Sequence, residues 1–186
     1  MAPRSPALAV ALCRTRAALS AIKREWNVDS EDGDVGLALC NELQYVQQYL
    51  RNLSSPSQAV DPVVLIKPFV SLLRAATLSG PYKLLALDSL QIYLKNHVLT
   101  EEQRPSRVAP ALQAVVAAIT KCKFVQTDAA VDEQVQVQLI ATLRALFAPS
   151  LLRCMSDSVC CTAIEALHAM AIQAAQQVWP SVCEHV

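Results

Sequence analysis

One segment, from Phe124 to Phe147, constrains the fold of this 186-residue chain more than any other. Its apolar residues recur at steps of three, four or one, which is the spacing that places side chains on one face of an α-helix. Val137, Ile140 and Leu151 lie off that face, so we expect part of a second side to be covered as well. A helix buried on two sides belongs in the interior of a helical stack. The main apolar face comprises Val131, Val135, Leu139, Leu143, Leu146 and Phe147.

Polar residues near the start of this segment supply the signals that begin a helix. Thr127 or Asp128 can accept hydrogen bonds from the free N–H groups of the first turn. Asp132 and Glu133 follow, and negative charge there interacts favourably with the positive end of the helix dipole. The sequence therefore predicts a helix that begins near residue 129.

The remainder of the chain also favours helices. Apolar residues make up 53% of the sequence, and only three glycines interrupt it. Because β-branched and aromatic residues never gather into alternating runs, nothing indicates a strand. Proline, glycine and capping residues divide the chain into about seven predicted helices. They cover residues 7–26, 35–53, 62 to the Ser79-Gly80-Pro81 stop, 81–96, 107–121, 129–148 and 156–178.

Two predictions concern the interior of these helices. Pro68 has no backbone N–H to donate, so the third helix should kink or restart at Lys67. The second helix should place a set of apolar residues inward, according to their spacing. That set is Leu37, Leu39, Cys40, Leu43, Val46 and Leu50.

The spacing of the helices predicts the architecture. Alternate helices start about 45–49 residues apart, slightly above the roughly 40–47 residues of armadillo and HEAT repeats. We therefore expect an all-α, armadillo/HEAT-like right-handed α-solenoid of about seven helices, and residues 1–186 are taken as one domain. A charged linker at residues 29–34 should separate the first two helices, and the pattern weakens after residue 178, where Pro180 would stop a helix.

Charge and composition exclude several classes of function. The 16 basic and 16 acidic side chains cancel, which argues against a general nucleic-acid binder. No apolar run approaches the roughly 18 residues that span a bilayer. The seven cysteines include no C-x-x-C motif, so we interpret them as core residues of a reducing compartment.

Catalytic motifs are also missing from the sequence. There is no nucleotide-binding glycine-rich loop and no nucleophile elbow, and no cofactor is expected. Cys161, Glu165 and His168 have the spacing of one helical face, but no second Glu-x-x-His motif completes a metal site. We instead expect Cys161 in the core and the other two side chains in solvent.

The arginine-rich N-terminus leaves an alternative open. Residues 1–24 contain five basic residues and no acidic one, a composition that also suits an organelle transit peptide. An unrelated HEAT-type helical adaptor, imported into an organelle, is therefore a second hypothesis.

Four segments in order resemble a known family. They are AIKREW (21–26), VVLIKPFVSLLRAA (63–76), SGPYKLLALDSLQIYL (79–94) and ITKCKFVQTDAAVDEQVQVQLIATLRALF (119–147). They are similar to the N-terminal dimerisation and cyclophilin-binding (DCB) domain of the large Arf guanine-nucleotide exchange factors, of the Golgi brefeldin-A-resistance factor and GNOM class. The residues that carry the resemblance are Pro68, Phe69, Pro81, Phe124, Thr127, Asp128, Leu139 and Leu143.

The resemblance implies a regulatory role without catalysis. In this family the domain is an armadillo-like module that self-associates and docks onto the neighbouring HUS region, and a downstream domain carries out nucleotide exchange on Arf. It implies a cytoplasmic protein peripheral to Golgi membranes, with a homodimer, the HUS region and a cyclophilin as partners and Arf as an indirect one.

The resemblance also implies a dimer contact. The family pairs a lysine of the fourth helix with a glutamate at the start of the sixth, which corresponds to Glu133 beside Asp132. The lysine position is occupied by Ile92 in this sequence. Lys95 lies three residues later on a similar face and can replace that lysine, or Ile92 can join an apolar patch between the two copies.

Overall fold

The computed structural model describes residues 6–25, 33–52, 60–99 and 105–178. Within these ranges the chain is helical and forms no strand; a single isolated bridge pairs Ser79 with Val125. The all-α solenoid predicted from the sequence is confirmed. The helices are α1 (Pro6–Glu25), α2 (Gly33–Asn52), α3 (Pro62–Arg74), α4 (Gly80–Lys95), α5 (Pro105–Thr120), α6 (Ala129–Leu146), α7 (Pro149–Leu152) and α8 (Asp157–Val178).

The helices form two layers. In the first layer α1 packs beside α4, and α4 packs beside α6. In the second layer α2, α3, α5 and α8 follow one another. Contacts between α1 and α2, α3 and α4, and α5 and α6 join the layers, and the short α7, which the sequence did not predict, connects α6 to α8. Within the first layer α4 therefore lies between α1 and α6, and its more extensive contact is with α6.

Capping residues explain where two of the helices begin. The Asp61 carboxylate accepts a hydrogen bond from the Val63 N–H at 2.9 Å, and Pro62 occupies the first turn of α3. The Asp128 carboxylate accepts from the N–H groups of Ala130 and Val131 at 2.9 and 3.2 Å. Each carboxylate thereby satisfies donors that a helix N-terminus would otherwise leave free.

The interior is apolar and closely packed around α3 and α4. Phe69 is fully buried, and its ring meets the buried Tyr93 ring edge-on at 5.5 Å between centroids. Pro68 is buried within α3, which continues to Arg74 without a break, so the predicted restart at Lys67 is wrong. The packing of α3 against α4 and α5 compensates for the hydrogen bond that the proline cannot donate.

Two apolar side chains predicted to be covered are exposed. Leu37 on α2 is 62% exposed and Val137 on α6 is 56% exposed. Periodicity identifies the residues that share a helix face, but a face is buried only where another helix covers it. Leu39, Leu43, Val46 and Leu50 are buried as predicted, and Cys40 is half-buried.

Several predictions concern residues outside the described ranges. The linker at 29–34 falls there except for its last two residues, which begin α2, and so do Trp26 and the segment after residue 178. In the part of the chain that is described, none of the helices combines the length and the hydropathy needed to cross a bilayer.

Candidate interaction surface

The helices α4 and α6 lie side by side and run parallel. At their N-terminal ends, a Cβ placed on Gly80 would lie 2.9 Å from Cγ1 of Val131. Further along, the Gln91 side-chain amide donates to Thr142 Oγ1 at 3.0 Å and to the side-chain oxygen of Gln138. These contacts join the start of α4 to the start of α6 and the middle of α4 to the middle of α6. The solvent-facing sides of the two helices therefore belong to one continuous surface.

The buried amide of Gln91 fixes the register of this pair. Gln91 is only 9% exposed, and Thr142 is fully buried. The Thr142 hydroxyl itself donates to the Gln138 carbonyl at 2.7 Å. Because a shift of one helix along the other would leave these polar groups unpaired in a dry environment, the network favours a single alignment.

Of the four residues predicted for the dimer contact, Glu133 borders the groove between α6 and α8, together with Val137. Glu133 and Lys95 are exposed, and Ile92 is half-buried. Val137 lies one turn after Glu133 and adds an exposed apolar side chain. The structure thus places two charges of opposite sign and two apolar side chains on the same layer.

These residues are divided between the two ends of the pair. Ile92 and Lys95 lie in the last turn of α4, whereas Glu133 lies in the first turns of α6, beside the start of α4. A helix of 16 residues spans about 24 Å, so Lys95 and Glu133 of one chain are too far apart for an ion pair. Only a second copy in the opposite direction can bring them together.

Asp132, the fourth residue, has different surroundings. It is half-buried, and its Oδ1 would lie 3.3 Å from a Cβ on Gly80. This oxygen is shielded from solvent and has no hydrogen-bond partner. Asp132 therefore contacts the beginning of α4 and is less available to a partner than Glu133.

The residues that carry the family resemblance stabilise the fold around this surface. Pro68, Phe69, Leu139 and Leu143 are buried, and Phe124 is half-buried. Asp128 caps α6, whereas Thr127 is exposed and Pro81 lies exposed in the first turn of α4. The Val125 N–H donates to the Leu78 carbonyl at 3.1 Å, so the segment before α6 is held against the segment before α4.

A buried lysine also stabilises α3 and was missed in the sequence. The Lys83 side chain is fully buried, and its Nζ donates to the carbonyls of Leu72 at 2.6 Å, Leu73 at 3.1 Å and Ala75. A cation at the C-terminal end of a helix interacts favourably with the dipole. Burial lowers the pKa of Lys83 to about 8. Burial likewise raises the pKa of the Cys122 thiol, although the nearby Lys83 opposes that shift. A single lysine in an apolar helix gives no pattern by which this role could be predicted.

Cys161, Glu165 and His168 are all exposed on α8. The expectation that Cys161 lies in the core is wrong, because the side of α8 that carries it faces away from α5 and α6. In the described ranges no three histidine, cysteine, aspartate or glutamate side chains gather as metal ligands would.

The fold and this surface define the class of protein: an all-α helical-repeat protein with a mixed apolar and charged outer layer. No protein-family model matches the sequence. Individual proteins, however, are similar to it in sequence. The chain is 24% identical over 135 residues to the ARF guanine-nucleotide exchange factor GNOM of Arabidopsis thaliana, which covers 73% of this chain and 9% of GNOM.

Two further relatives support the same family. The identity is 26% over 152 residues with the ARF guanine-nucleotide exchange factor GNL1 of Arabidopsis thaliana, covering 80% of this chain and 10% of that protein. The identity with ARF guanine-nucleotide exchange factor 2 of Saccharomyces cerevisiae is 27% over 105 residues, which covers 56% of this chain and 7% of that protein. The chain thus spans a tenth or less of the length of these relatives. Its resemblance to the large Arf guanine-nucleotide exchange factors, predicted from the four sequence segments, is confirmed.

Proposed function

We propose that this chain is a DCB-like, non-catalytic dimerisation and regulatory module of an Arf guanine-nucleotide exchange factor. The observation that carries the proposal is the exposure of Lys95 at the end of α4 and of Glu133 and Val137 in the first half of α6, with the half-buried Ile92 one turn before the end of α4. The relatives are named as ARF guanine-nucleotide exchange factors, which connects the module with Arf activation. All 186 residues are assigned to this one domain.

The separation of Lys95 and Glu133 within one chain supports a dimer. Two copies related by a two-fold axis across the helices place Lys95 of each copy near Glu133 of the other. The same arrangement brings Ile92 towards Val137, so each ion pair is accompanied by an apolar contact. A two-fold interface is self-complementary in this way, because each contact occurs twice. This geometry allows Lys95 to replace the family's lysine despite the isoleucine at position 92.

The role of the module is to position other parts of an exchange factor. By the family resemblance we assign it a HUS region and a cyclophilin as further partners, Arf as an indirect partner, and a cytoplasmic location at Golgi membranes in vesicle traffic. The exchange reaction itself is assigned to a separate domain. We therefore expect the purified chain to leave the rate of nucleotide exchange on Arf unchanged in a fluorescent-nucleotide assay.

Charge reversal tests the dimer. Lys95→Glu and Glu133→Lys should each weaken self-association about tenfold in analytical ultracentrifugation, because each puts like charges together at both symmetric contacts. The double variant should recover the affinity, since it restores both pairs with reversed signs. Glu165→Lys, an exposed change of the same kind on α8, is the control and should have no effect.

Two results would contradict the dimer. A chain that remains monomeric at high micromolar concentration has no dimer to explain. If the double variant is as weak as the single ones, Lys95 and Glu133 are not partners, even where a dimer exists.

A further inference from the structure

We draw no further inference here: the strongest candidate, the largely apolar groove of about 980 Å³ between α6 and α8, is bordered by Glu133 and Val137 of the proposed dimer contact, and nothing in the structure shows what covers it.

Discussion

Two parts of the molecule, α4 and α8, have apolar helical sequences but very different surroundings. Nine residues of α4 are buried, including three polar side chains that all have hydrogen-bond partners. In α8, among the side chains described at 157–173, Ala163 alone is buried, while Ile164 and Ile172 are 56% and 45% exposed. The difference follows from their neighbours. Three helices, α1, α3 and α6, pack against α4, whereas the main neighbours of α8 are α5 and α6.

This difference teaches that burial in a helical stack depends on position as much as on composition. An interior helix has neighbours on three sides, so it can bury polar groups that select one alignment. A helix with neighbours on one side retains exposed apolar side chains, as Ile164 and Ile172 show on α8. Substitutions at the two helices should therefore have effects of very different size.

The largest expected difference is between an interior leucine and an exposed isoleucine. Leu143→Ala, at a fully buried position of α6 beside α4, should lower the free energy of unfolding by about 2–5 kcal/mol. Ile172→Ala on α8 should lower it by about 0.5 kcal/mol or less. Urea denaturation followed by circular dichroism measures both. Equal losses would mean that α8 is covered as well as α6 is.

Lys83 gives the next largest effect. Lys83→Met leaves the Leu72, Leu73 and Ala75 carbonyls without their common donor, and the loss should be about 1–3 kcal/mol at pH 7. Glu165→Met, at an exposed site of α8, is the matched control and should have almost no effect.

The pH dependence of the same lysine sharpens this prediction. Between about pH 8, the lowered pKa, and pH 10.5, the ordinary value, the unfolded chain retains a proton that the folded chain has lost. The free energy of unfolding should therefore rise with pH across this window, relative to Lys83→Met. No rise would show that the three carbonyls keep the ammonium charged and outweigh the effect of burial.

A single methyl group tests how closely α4 and α6 pack. In Gly80→Ala the new Cβ would lie 2.9 Å from Cγ1 of Val131, and overpacking of this kind costs about 1–3 kcal/mol. Adding Val131→Ala should recover much of the loss, because it removes the group in contact. Thermal unfolding of the single and double variants decides it. Full additivity of the two losses would contradict the contact.

The smallest effect is expected for the hydroxyl of Tyr93. It is buried between α4 and α1, 3.3 Å from the Ala11 carbonyl and from Thr15 Oγ1. Tyr93→Phe keeps the ring contact with Phe69 and should cost about 1 kcal/mol. Burial raises the pKa of Tyr93 from 10.0 to about 12, so the folded chain holds the proton longer than the unfolded one. Stability should fall as pH rises through that window in the parent, and the fall should be smaller in the variant.

The sequence predicted the helical segments other than the short α7, and where both ends of a helix were predicted they agree with the structure to within two residues. Capping residues act locally, so Asp128 could be identified as a candidate cap of α6 without the fold. The family resemblance could also be identified from the sequence alone, because it depends on four short segments that occur in a fixed order along the chain.

What the sequence could not predict depends on contacts between distant segments. Leu37, Val137 and Cys161 have the spacing of buried residues, yet none of the helices in the described part of the chain covers them. Lys83 looks like a surface residue until the end of α3 is seen beside it. For the candidate surface, the sequence identified Glu133 and Lys95, but only the parallel packing of α4 and α6 shows that they lie at opposite ends.

The capping of α3 by a side chain of α4 has a consequence for how the chain unfolds. The last carbonyls of α3 are satisfied by Lys83, so α3 cannot keep its end intact once α4 has separated from it. In a linear array whose units are stabilised mainly by their nearest neighbours, such a shared group couples two units into one. Amide protons at the end of α3 should therefore exchange with solvent at the rate at which α4 opens, and the two helices should behave as one cooperative unit.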